Sequence, residues 1–306
     1  MEGRLEVAFF TEMGFEGKVP RNHSNMRTEF AWMVAMNADH YNLLQTPSKN
    51  YQLGIVIIPK KNPQFDINQL KQYCDKLAVM QEGPHWYFQD YPLSQQIWYY
   101  NTLVSADIIF THNRADKLYY QGLTNHPDVR VMPSLMIEDA IGELAQVERQ
   151  DVIIGGNFVS WYGGFDSFIV ASELELPIHA PSMGRKQEGE DQLGIQHLPY
   201  LDWKNWIHAL NRYKYGVHLM RTHAAGTFAL NCSYLGIPCI GYSGLDTQET
   251  LHRMTTVEVG DLVEAKRLIK LLHQDQEFYQ ECSQLTRQAY QLEYTELQFK
   301  EKVLTL

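Results

Sequence analysis

The sequence predicts an α/β protein built from two Rossmann-like, doubly wound parallel-sheet domains that face each other, followed by carboxyl-terminal helices. Short apolar runs alternate with stretches of helical periodicity, and this alternation starts again near residue 150. After residue 260 the apolar residues recur only at helical spacing. A chain of 306 residues is long enough for two ordinary cores, so two domains are expected.

The first series of apolar runs predicts the strands of the first domain. These runs are LEVAFF (5–10), GIVII (54–58), AVM (78–80), DIIFT (107–111) and VRVM (129–132). Strands that alternate with helices form a parallel sheet covered on both faces. Residues 132–150 carry a Pro-Ser turn and end in polar residues, which predicts the connection between the domains.

A second series predicts the strands of the second domain. It comprises DVIIGG (151–156), PIHA (177–180), GVHLM (216–220), IPCIG (237–241) and TTVEV (255–259). We therefore divide the chain into a first domain at 1–145, a second at 146–285 and a terminal helix at 286–306. One possible arrangement is that this terminal helix packs back against the first domain. Two such domains leave a cleft at the carboxyl ends of their strands, where ligands bind in folds of this class.

Composition excludes several classes of protein. The apolar fraction is 44%, no apolar run is long enough to cross a bilayer, and MEGRLEVAFF lacks the features of a secretion signal, so we expect a cytoplasmic protein without a membrane span. The four cysteines form no CxxC pair and are expected to be reduced. A net charge of −10 opposes unspecific binding to nucleic acid, although it does not exclude a local basic groove.

The most informative segment is RTHAAGTFALNCSYLGIPCIG (221–241), which predicts a glycine turn, a short helix and a buried strand. A helix that begins near Gly226 and Thr227 points unpaired N–H groups at the cleft, and Arg221 and His223 add donors beside it. This arrangement suits a diphosphate. The alternative is an ordinary helix–strand unit, in which Gly-Ile-Pro only ends the helix.

Two further loops of the second domain are candidates for the same ligand. The turn in GGNFVSWYGGFDSF (155–168) allows close backbone approach at Gly156 and Asn157. HAPSMGRK (179–186) places the cations Arg185 and Lys186 just past a strand. The alternative for these cations is solvation at the surface.

The segment MQEGPHWYFQDYP (80–92) carries the candidate catalytic residues. Glu82 stands at a strand end beside His85 and Trp86, where a carboxylate can act as a general base on an acceptor hydroxyl. Asp90 is the second candidate. The alternative is that Glu82 caps the next segment and that the aromatic residues belong to the core.

The loop after the first strand, within TEMGFEGKVPRNHSNMRTEFAW (11–32), is the most basic segment of this acidic protein. It can grip the phosphates of an acceptor or of a donor, and its alternative is a solvated surface loop. The candidate acceptor-binding residues here are Gly17, Lys18, Arg21, His23 and Arg27, with Trp86 from the segment above.

Several motifs are absent. No Asp-x-Asp pair occurs, so a carboxylate-bound metal on a nucleotide diphosphate is not expected, and the site residues include no metal ligand. The P-loop, the G-x-S-x-G elbow and the G-x-G-x-x-G fingerprint are also missing, which argues against kinases, hydrolases and dinucleotide dehydrogenases. We expect no tightly bound cofactor, with metal either unnecessary or auxiliary.

The segment THAAGTFALNCSYLGIPCIG resembles the donor-binding motif of glycosyltransferases of the GT-B fold. In that family a glycine-rich turn meets the diphosphate of a nucleotide-sugar, and a residue on the helix, commonly Glu, holds the ribose. By this resemblance Asn231 takes the ribose position. Retaining members carry two glutamates spaced Glu-x7-Glu, whereas this chain has His223 and Asn231 there, which leaves the stereochemical course open.

The order of segments is similar to that of the phage glucosyltransferases that modify 5-hydroxymethylcytosine in DNA. The resemblance rests on VMQEGPH followed by SADIIFTHN (105–113), and on DVIIGGNF. It implies that the first domain binds the acceptor, that the second binds UDP-glucose, and that Glu82 is the base. DNA containing hydroxymethylated bases is then a candidate partner, with a flipped base seated near Trp86 and Tyr87. The alternatives are a glycan, lipid or small-molecule acceptor, and a non-catalytic module that binds nucleotide-sugars.

Overall fold

A computed structural model describes residues 5–13, 17–60, 65–81, 83–159, 161–182 and 186–303. The described chain forms two six-stranded sheets, and every strand pair in both sheets is parallel. The predicted fold class, α/β with two Rossmann-like parallel sheets and terminal helices, is confirmed. None of the helices in these ranges is both long and apolar enough to cross a membrane.

The first sheet has the order β2-β1-β3-β4-β5-β6. Its strands are β1 (Val7–Thr11), β2 (Asp39–Asn42), β3 (Tyr51–Ile58), β4 (Cys74–Gln81), β5 (Ile108–Thr111) and β6 (Val129–Val131). The helices that accompany it are α1 (Glu29–Met36), α2 (Ile67–Lys71), α3 (Leu93–Ser105) and α4 (Arg114–Thr124), with 3-10 turns at His85–Asp90 and Glu138–Ala140.

The second sheet has the order β12-β11-β10-β7-β8-β9. Its strands are β7 (Gln150–Ile154), β8 (Ile178–Ala180), β9 (Gln196–His197), β10 (Tyr213–His218), β11 (Cys239–Tyr242) and β12 (Thr256–Val257). The helices are α5 (Gly164–Ala171), α6 (Trp203–Leu210), α7 (Thr227–Leu235), α8 (Asp246–Leu251), α9 (Leu262–Gln274), α10 (Gln276–Glu293) and α11 (Glu296–Val303), with 3-10 turns at Ser172–Leu174, Glu190–Leu193 and Arg253–Thr255.

The strands are apolar runs because both faces of each sheet are covered. All five residues of β1 are buried, and in β3 only Gln52 is exposed. Such continuous burial is expected for parallel strands between helix layers, and it explains why the apolar runs of the sequence located these strands. All ten predicted runs coincide with strands, whereas β2 and β9, both at sheet edges, were not predicted.

One hydrophobic cluster runs from the first sheet into the second. It contains Phe9 and Ile55 of the first sheet, Ile153 of the second and Leu230 of α7. The connecting segment contributes Leu135, Met136, Ile137, Ala140 and Ile141, all buried in the same cluster. The connection is therefore packed between the two halves and fixes their relative position through apolar burial.

Helix α11 packs against α1 of the first half, and Phe299 and Val303 enter the shared cluster. The guanidinium of Arg21 joins this contact by hydrogen-bonding both Asp139, at 2.6 and 2.9 Å, and Glu296, at 2.6 and 3.1 Å. The predicted boundary between residues 285 and 286 falls inside α10. The division of the chain at 145 and 285 stays a prediction.

Four buried histidines predict that acid destabilises the fold. Burial lowers the pKa of His40, His112, His218 and His252 to about 4, against 6.5 for an exposed histidine. Between these values the unfolded chain binds four protons that the folded chain does not. The free energy of unfolding therefore falls as pH falls from about 6.5 to about 4, with a slope near 5 kcal/mol per pH unit from these groups.

Denaturant titrations at several pH values measure this slope. His40→Gln should remove about a quarter of it, because each group contributes about 1.4 kcal/mol per pH unit. A flat profile in the wild-type protein between pH 4 and 6.5 would contradict the assignment.

Candidate active site

A cavity of about 530 Å³ lies between the two halves. The first half contributes Arg27, Lys60 and Trp86 to its wall, and the second contributes Gly156 and Gly226 among others. A smaller cavity of about 130 Å³ lies beside α8 and α10 and is lined by a different set of residues. The larger cavity has the size of an ordinary ligand site and is the candidate active site.

The cavity lies at the switch point of the second sheet. From the neighbouring strands β7 and β10 the chain winds outward in opposite directions, through β8 and β9 on one side and β11 and β12 on the other. The crevice beyond the carboxyl ends of two such strands is where open α/β sheets bind ligands. Here those ends are the turn at 155–157 after β7 and residues 218–220 of β10 and its extension.

The turn after β7 is built of glycine because His218 packs over it. A Cβ atom on Gly155 would lie 2.6 Å from Cγ of His218, and one on Gly156, whose φ is +80°, would lie 3.3 Å from Nε2. His218 is 7% exposed and Asn157 is 6% exposed. Among the described residues, neither His218 Nε2 nor Asn157 Nδ2 has a hydrogen-bond partner; His218 lines the cavity, whereas Asn157 does not.

The amino terminus of α7 opens into the same cavity. Gly226 precedes the helix with φ of 63°, no side chain caps the helix, and Gly226, Thr227 and Phe228 line the cavity. The first N–H groups of a helix have no partner within it, and the helix dipole adds positive potential. Asn231, one turn into α7, is 4% exposed and lines the cavity too. The predicted grouping of Gly156, Gly226, Thr227 and Asn231 is present.

The first half holds the loop that leads into α7. Asn113 Nδ2 donates to the carbonyl of Ala224 at 2.9 Å, and Ser134 Oγ donates to that of Ala225 at 2.6 Å. Thr247 Oγ1 donates to the carbonyl of Gly226 at 3.1 Å. These bonds use the carbonyl groups of Ala224, Ala225 and Gly226, three residues that line the cavity.

The predicted cations of the donor site have other partners. Arg221 Nη2 is 2.8 Å from Asp166 Oδ2, and Lys186 pairs with Asp191. Neither Arg221 nor Lys186 lines the cavity. His223 also lies outside the cavity wall, near Asp116, and Arg185 lies outside the described residues.

In the segment after β4, some residues line the cavity and others make contacts outside it. Trp86 lines the cavity, and Glu82 lies outside the described residues, although the adjoining Gly83 and Pro84 line the wall. His85 Nδ1 is 2.9 Å from Asp116 Oδ1 and does not line the cavity. Asp90 is exposed at the end of its 3-10 turn.

Of the five residues of the basic loop predicted to bind the acceptor, Arg27 lines the cavity, and its Nε donates to Asn25 Oδ1 at 2.8 Å. Lys18 is 3.9 Å from Asp39, and Arg21 is held by Asp139 and Glu296 as described above. His23 Nδ1 accepts from the amide of Asn25. Gly17 forms an isolated bridge with His40.

His112 is a cavity residue that the sequence analysis did not propose. It follows β5 directly, its ring stacks on Trp32 with centroids 5.7 Å apart, and burial lowers its pKa to about 4. No hydrogen-bond partner for its Nδ1 exists in the described part of the chain. The position at a strand end is the signal that identifies both His112 and His218.

Aromatic side chains make up much of the remaining wall, and most of them were not proposed either. Flat apolar faces of this kind stack on sugars and on nucleic-acid bases. The aromatic lining residues are Trp86, Tyr87, Trp161, Tyr162, Tyr200, Trp203, Trp206 and Phe228.

No protein-family model and no curated protein sequence matches the chain. A solved structure of an alpha-glucosyltransferase in complex with UDP-glucose and DNA containing an abasic site is similar over 99% of both chains, with a TM-score of 0.63 and 14% identity. The chain has the GT-B fold.

Two other solved structures share this GT-B architecture. Anabaena HepE in complex with UDP and glucose matches over 98% of both chains, with a TM-score of 0.61 and 9% identity. Sucrose-phosphate synthase from Thermosynechococcus elongatus matches over 83% of this chain and 72% of its own, with a TM-score of 0.61 and 13% identity. The chain spans little more than half of others, 56% of a chain of the GtfA/B complex and 54% of TarM.

A single methyl group at the entrance of α7 should destabilise the protein. In Gly226→Ala the new Cβ would lie 1.9 Å from Thr247 Oγ1 at a φ of +63°, so both the backbone and Thr247 must shift. We expect the free energy of unfolding to fall by about 1–3 kcal/mol. The matched control is Gly122→Ala in α4, where no atom lies within 4 Å and the change should add up to about 1 kcal/mol.

Denaturant unfolding at fixed pH measures both variants. Equal stability of the Gly226→Ala and wild-type proteins would show that the entrance of α7 does not require glycine.

Proposed function

We propose that the protein is a glycosyltransferase that moves a hexose, favoured as glucose from UDP-glucose, to an acceptor hydroxyl. The observation that carries the proposal is the uncapped amino terminus of α7, which opens into the cavity at the switch point of a GT-B fold. A helix terminus in this position binds an anionic phosphate group. Two similar solved structures contain UDP or UDP-glucose, which supports the same donor class.

On the donor side, the amide groups at Gly226 and Thr227 hydrogen-bond the diphosphate, and Asn231 hydrogen-bonds the ribose. His218, which lines the cavity beside the glycine turn, offers a further polar group. Arg221 and Lys186 reach the diphosphate only if they leave Asp166 and Asp191. The main stabilisation of the leaving diphosphate is therefore assigned to backbone amides, which require no reorganisation during the reaction.

Glu82 is the proposed general base that deprotonates the acceptor hydroxyl. It follows β4 and precedes Gly83 and Pro84, two residues of the cavity wall. Among the described residues that line the cavity, Glu29 is the one carboxylate, and it replaces the exposed Asp90 as the second candidate. The loss of a general base typically lowers the rate about 10²- to 10⁴-fold.

The favoured acceptor is 5-hydroxymethylcytosine in DNA, with the base flipped into the cavity. Trp86 and Tyr87 supply aromatic faces, and Arg27 and Lys60 supply positive charge on the same side of the cavity. A similar solved structure contains DNA, which supports this choice. The net charge of −10 opposes it, and the same aromatic faces suit a glycan, so that acceptor is the alternative.

A transfer assay with labelled UDP-glucose tests the proposal. We expect label on duplex DNA that contains 5-hydroxymethylcytosine and none on the same duplex with cytosine, because the reaction needs the hydroxyl group. Glu82→Gln should lower the rate by about 10²-fold or more while UDP binding persists. Glu29→Gln is assayed in parallel. If Glu82→Gln remains active and Glu29→Gln loses activity, the base is Glu29.

Other outcomes separate the alternatives. Label on a glycan, lipid or small-molecule hydroxyl, with none on either DNA, would replace the DNA acceptor and retain the transferase. Tight UDP-glucose binding with neither transfer nor hydrolysis would indicate a non-catalytic binding module. Absence of binding to any nucleotide-sugar would reject the proposal.

The assigned role of Asn231 predicts a loss of affinity for UDP. Asn231→Ala removes one ribose hydrogen bond of about 0.5–1.5 kcal/mol, so the Kd measured by calorimetry should rise about 2- to 10-fold. The matched control is Asn205→Ala in α6, where the exposed side chain lies outside the cavity and the Kd should not change. Equal Kd values for the two variants would remove Asn231 from the donor site.

A further inference from the structure

Three side chains from three segments of the chain meet beside the cavity, and we call His85, Asp116 and His223 the His-Asp-His cluster. His85 begins the 3-10 turn after β4, and Asp116 lies in the first turn of α4. His223 lies in the loop between β10 and α7. Two members therefore belong to the first half of the chain and one to the second.

Both imidazoles point the same atom at the same carboxylate oxygen. Nδ1 of His85 is 2.9 Å from Asp116 Oδ1, and Nδ1 of His223 is 3.5 Å from it. One candidate ligand atom from each residue lies within 4.8 Å of the other two. Asp116 is only 4% exposed, so the oxygen on which they converge is inside the protein.

Neighbouring groups hold the cluster in place. Asn113 Nδ2 donates to the second oxygen of Asp116 at 3.1 Å and to the carbonyl of Ala224, next to His223, at 2.9 Å. The ring of Tyr119 lies 4.1 Å from that of His85, centroid to centroid. Partners of this kind orient the ligands of a metal site and raise its affinity.

The electrostatic surroundings also favour a cation. The carboxylate of Asp116 lies beside the imidazoles of His85 and His223 and accepts a hydrogen bond from Asn113, contacts that favour its ionised form. Asp246 and Glu249 add negative charge near His223. The cluster thus combines a buried anion with two imidazoles that can release a proton to a competing metal ion.

We propose that the His-Asp-His cluster binds one divalent transition-metal ion, of which zinc best fits two imidazoles and a carboxylate. Three protein ligands leave a further coordination position for water. Because the ligands come from both halves of the chain, the ion would link the two halves at the edge of the cavity. This proposal does not depend on the proposed transferase activity, and none of its tests requires a sugar donor.

The test uses the full chain, stripped of metal by a chelator and exchanged into chelator-free buffer. Calorimetry with zinc chloride should give one ion per chain, and zinc should raise the Tm because it binds only the folded state. Cobalt chloride should give the visible absorption of a cobalt ion with nitrogen and oxygen ligands. Loss of one ligand, in His85→Ala or His223→Ala, should weaken binding by about 100-fold or more, beyond the effect of losing an orienting partner.

Two further variants make the result specific. Asn113→Ala, which leaves all three ligands, should weaken zinc about 10- to 100-fold. His273→Ala, which removes an exposed histidine of α9, should change neither stoichiometry nor Kd. Circular dichroism confirms that each variant is folded before it is titrated. Asp116→Asn removes the carboxylate ligand and should also weaken zinc binding. If that variant does not fold, His85→Ala and His223→Ala test the site without it.

The outcomes are distinguishable. One zinc ion per chain, lost in both His85→Ala and His223→Ala and kept in His273→Ala, supports the site. No zinc binding to the stripped wild-type chain, or equal affinity in the wild-type, His85→Ala and His223→Ala proteins, would overturn it. Neither result bears on UDP binding, so failure here and failure of the transferase proposal are recognised separately.

Discussion

The arrangement of the candidate active site depends on how the loop before α7 is held. Its carbonyl groups are bonded by Asn113 and Ser134 of the first half and by Thr247 of the second. The residues that follow, Thr227 and Phe228 at the start of α7, line the cavity. A glycine is required at position 226 because Thr247 occupies the space of a side chain. One anchored loop thus determines where an anion can bind.

The same loop is positioned by the packing of the two halves against each other. A continuous apolar cluster joins both sheets, the connecting segment and α11, and each half has a further apolar cluster of its own. Arg21 adds a polar contact at this junction by bridging Asp139 and Glu296. Because Asn113 and Ser134 reach across the same junction, a shift between the halves would change the entrance of α7 directly.

The sequence predicted the buried strands well, and the reason is physical. Strands covered on both faces must be apolar along their length, so each appears as an apolar run. The missed strands, β2 and β9, lie at sheet edges and have the polar sequences DHYN and QH, which carry no such signal. In the candidate site, the glycine turns and the start of α7 were predicted because the backbone geometry of a turn or a helix terminus depends on residues that are adjacent in the sequence.

Side-chain partners were less predictable because they come from distant positions. Arg21 looked like a phosphate-binding cation, but its partners are 118 and 275 residues away. Arg221, in the loop after β10, likewise forms an ion pair with Asp166 of α5. His112 and His218 enter the cavity wall as neutral imidazoles because burial holds the pKa of each near 4. Because carboxylates hold Arg21 and Arg221, the proposed donor side relies on oriented amide and imidazole groups rather than on these two positive charges.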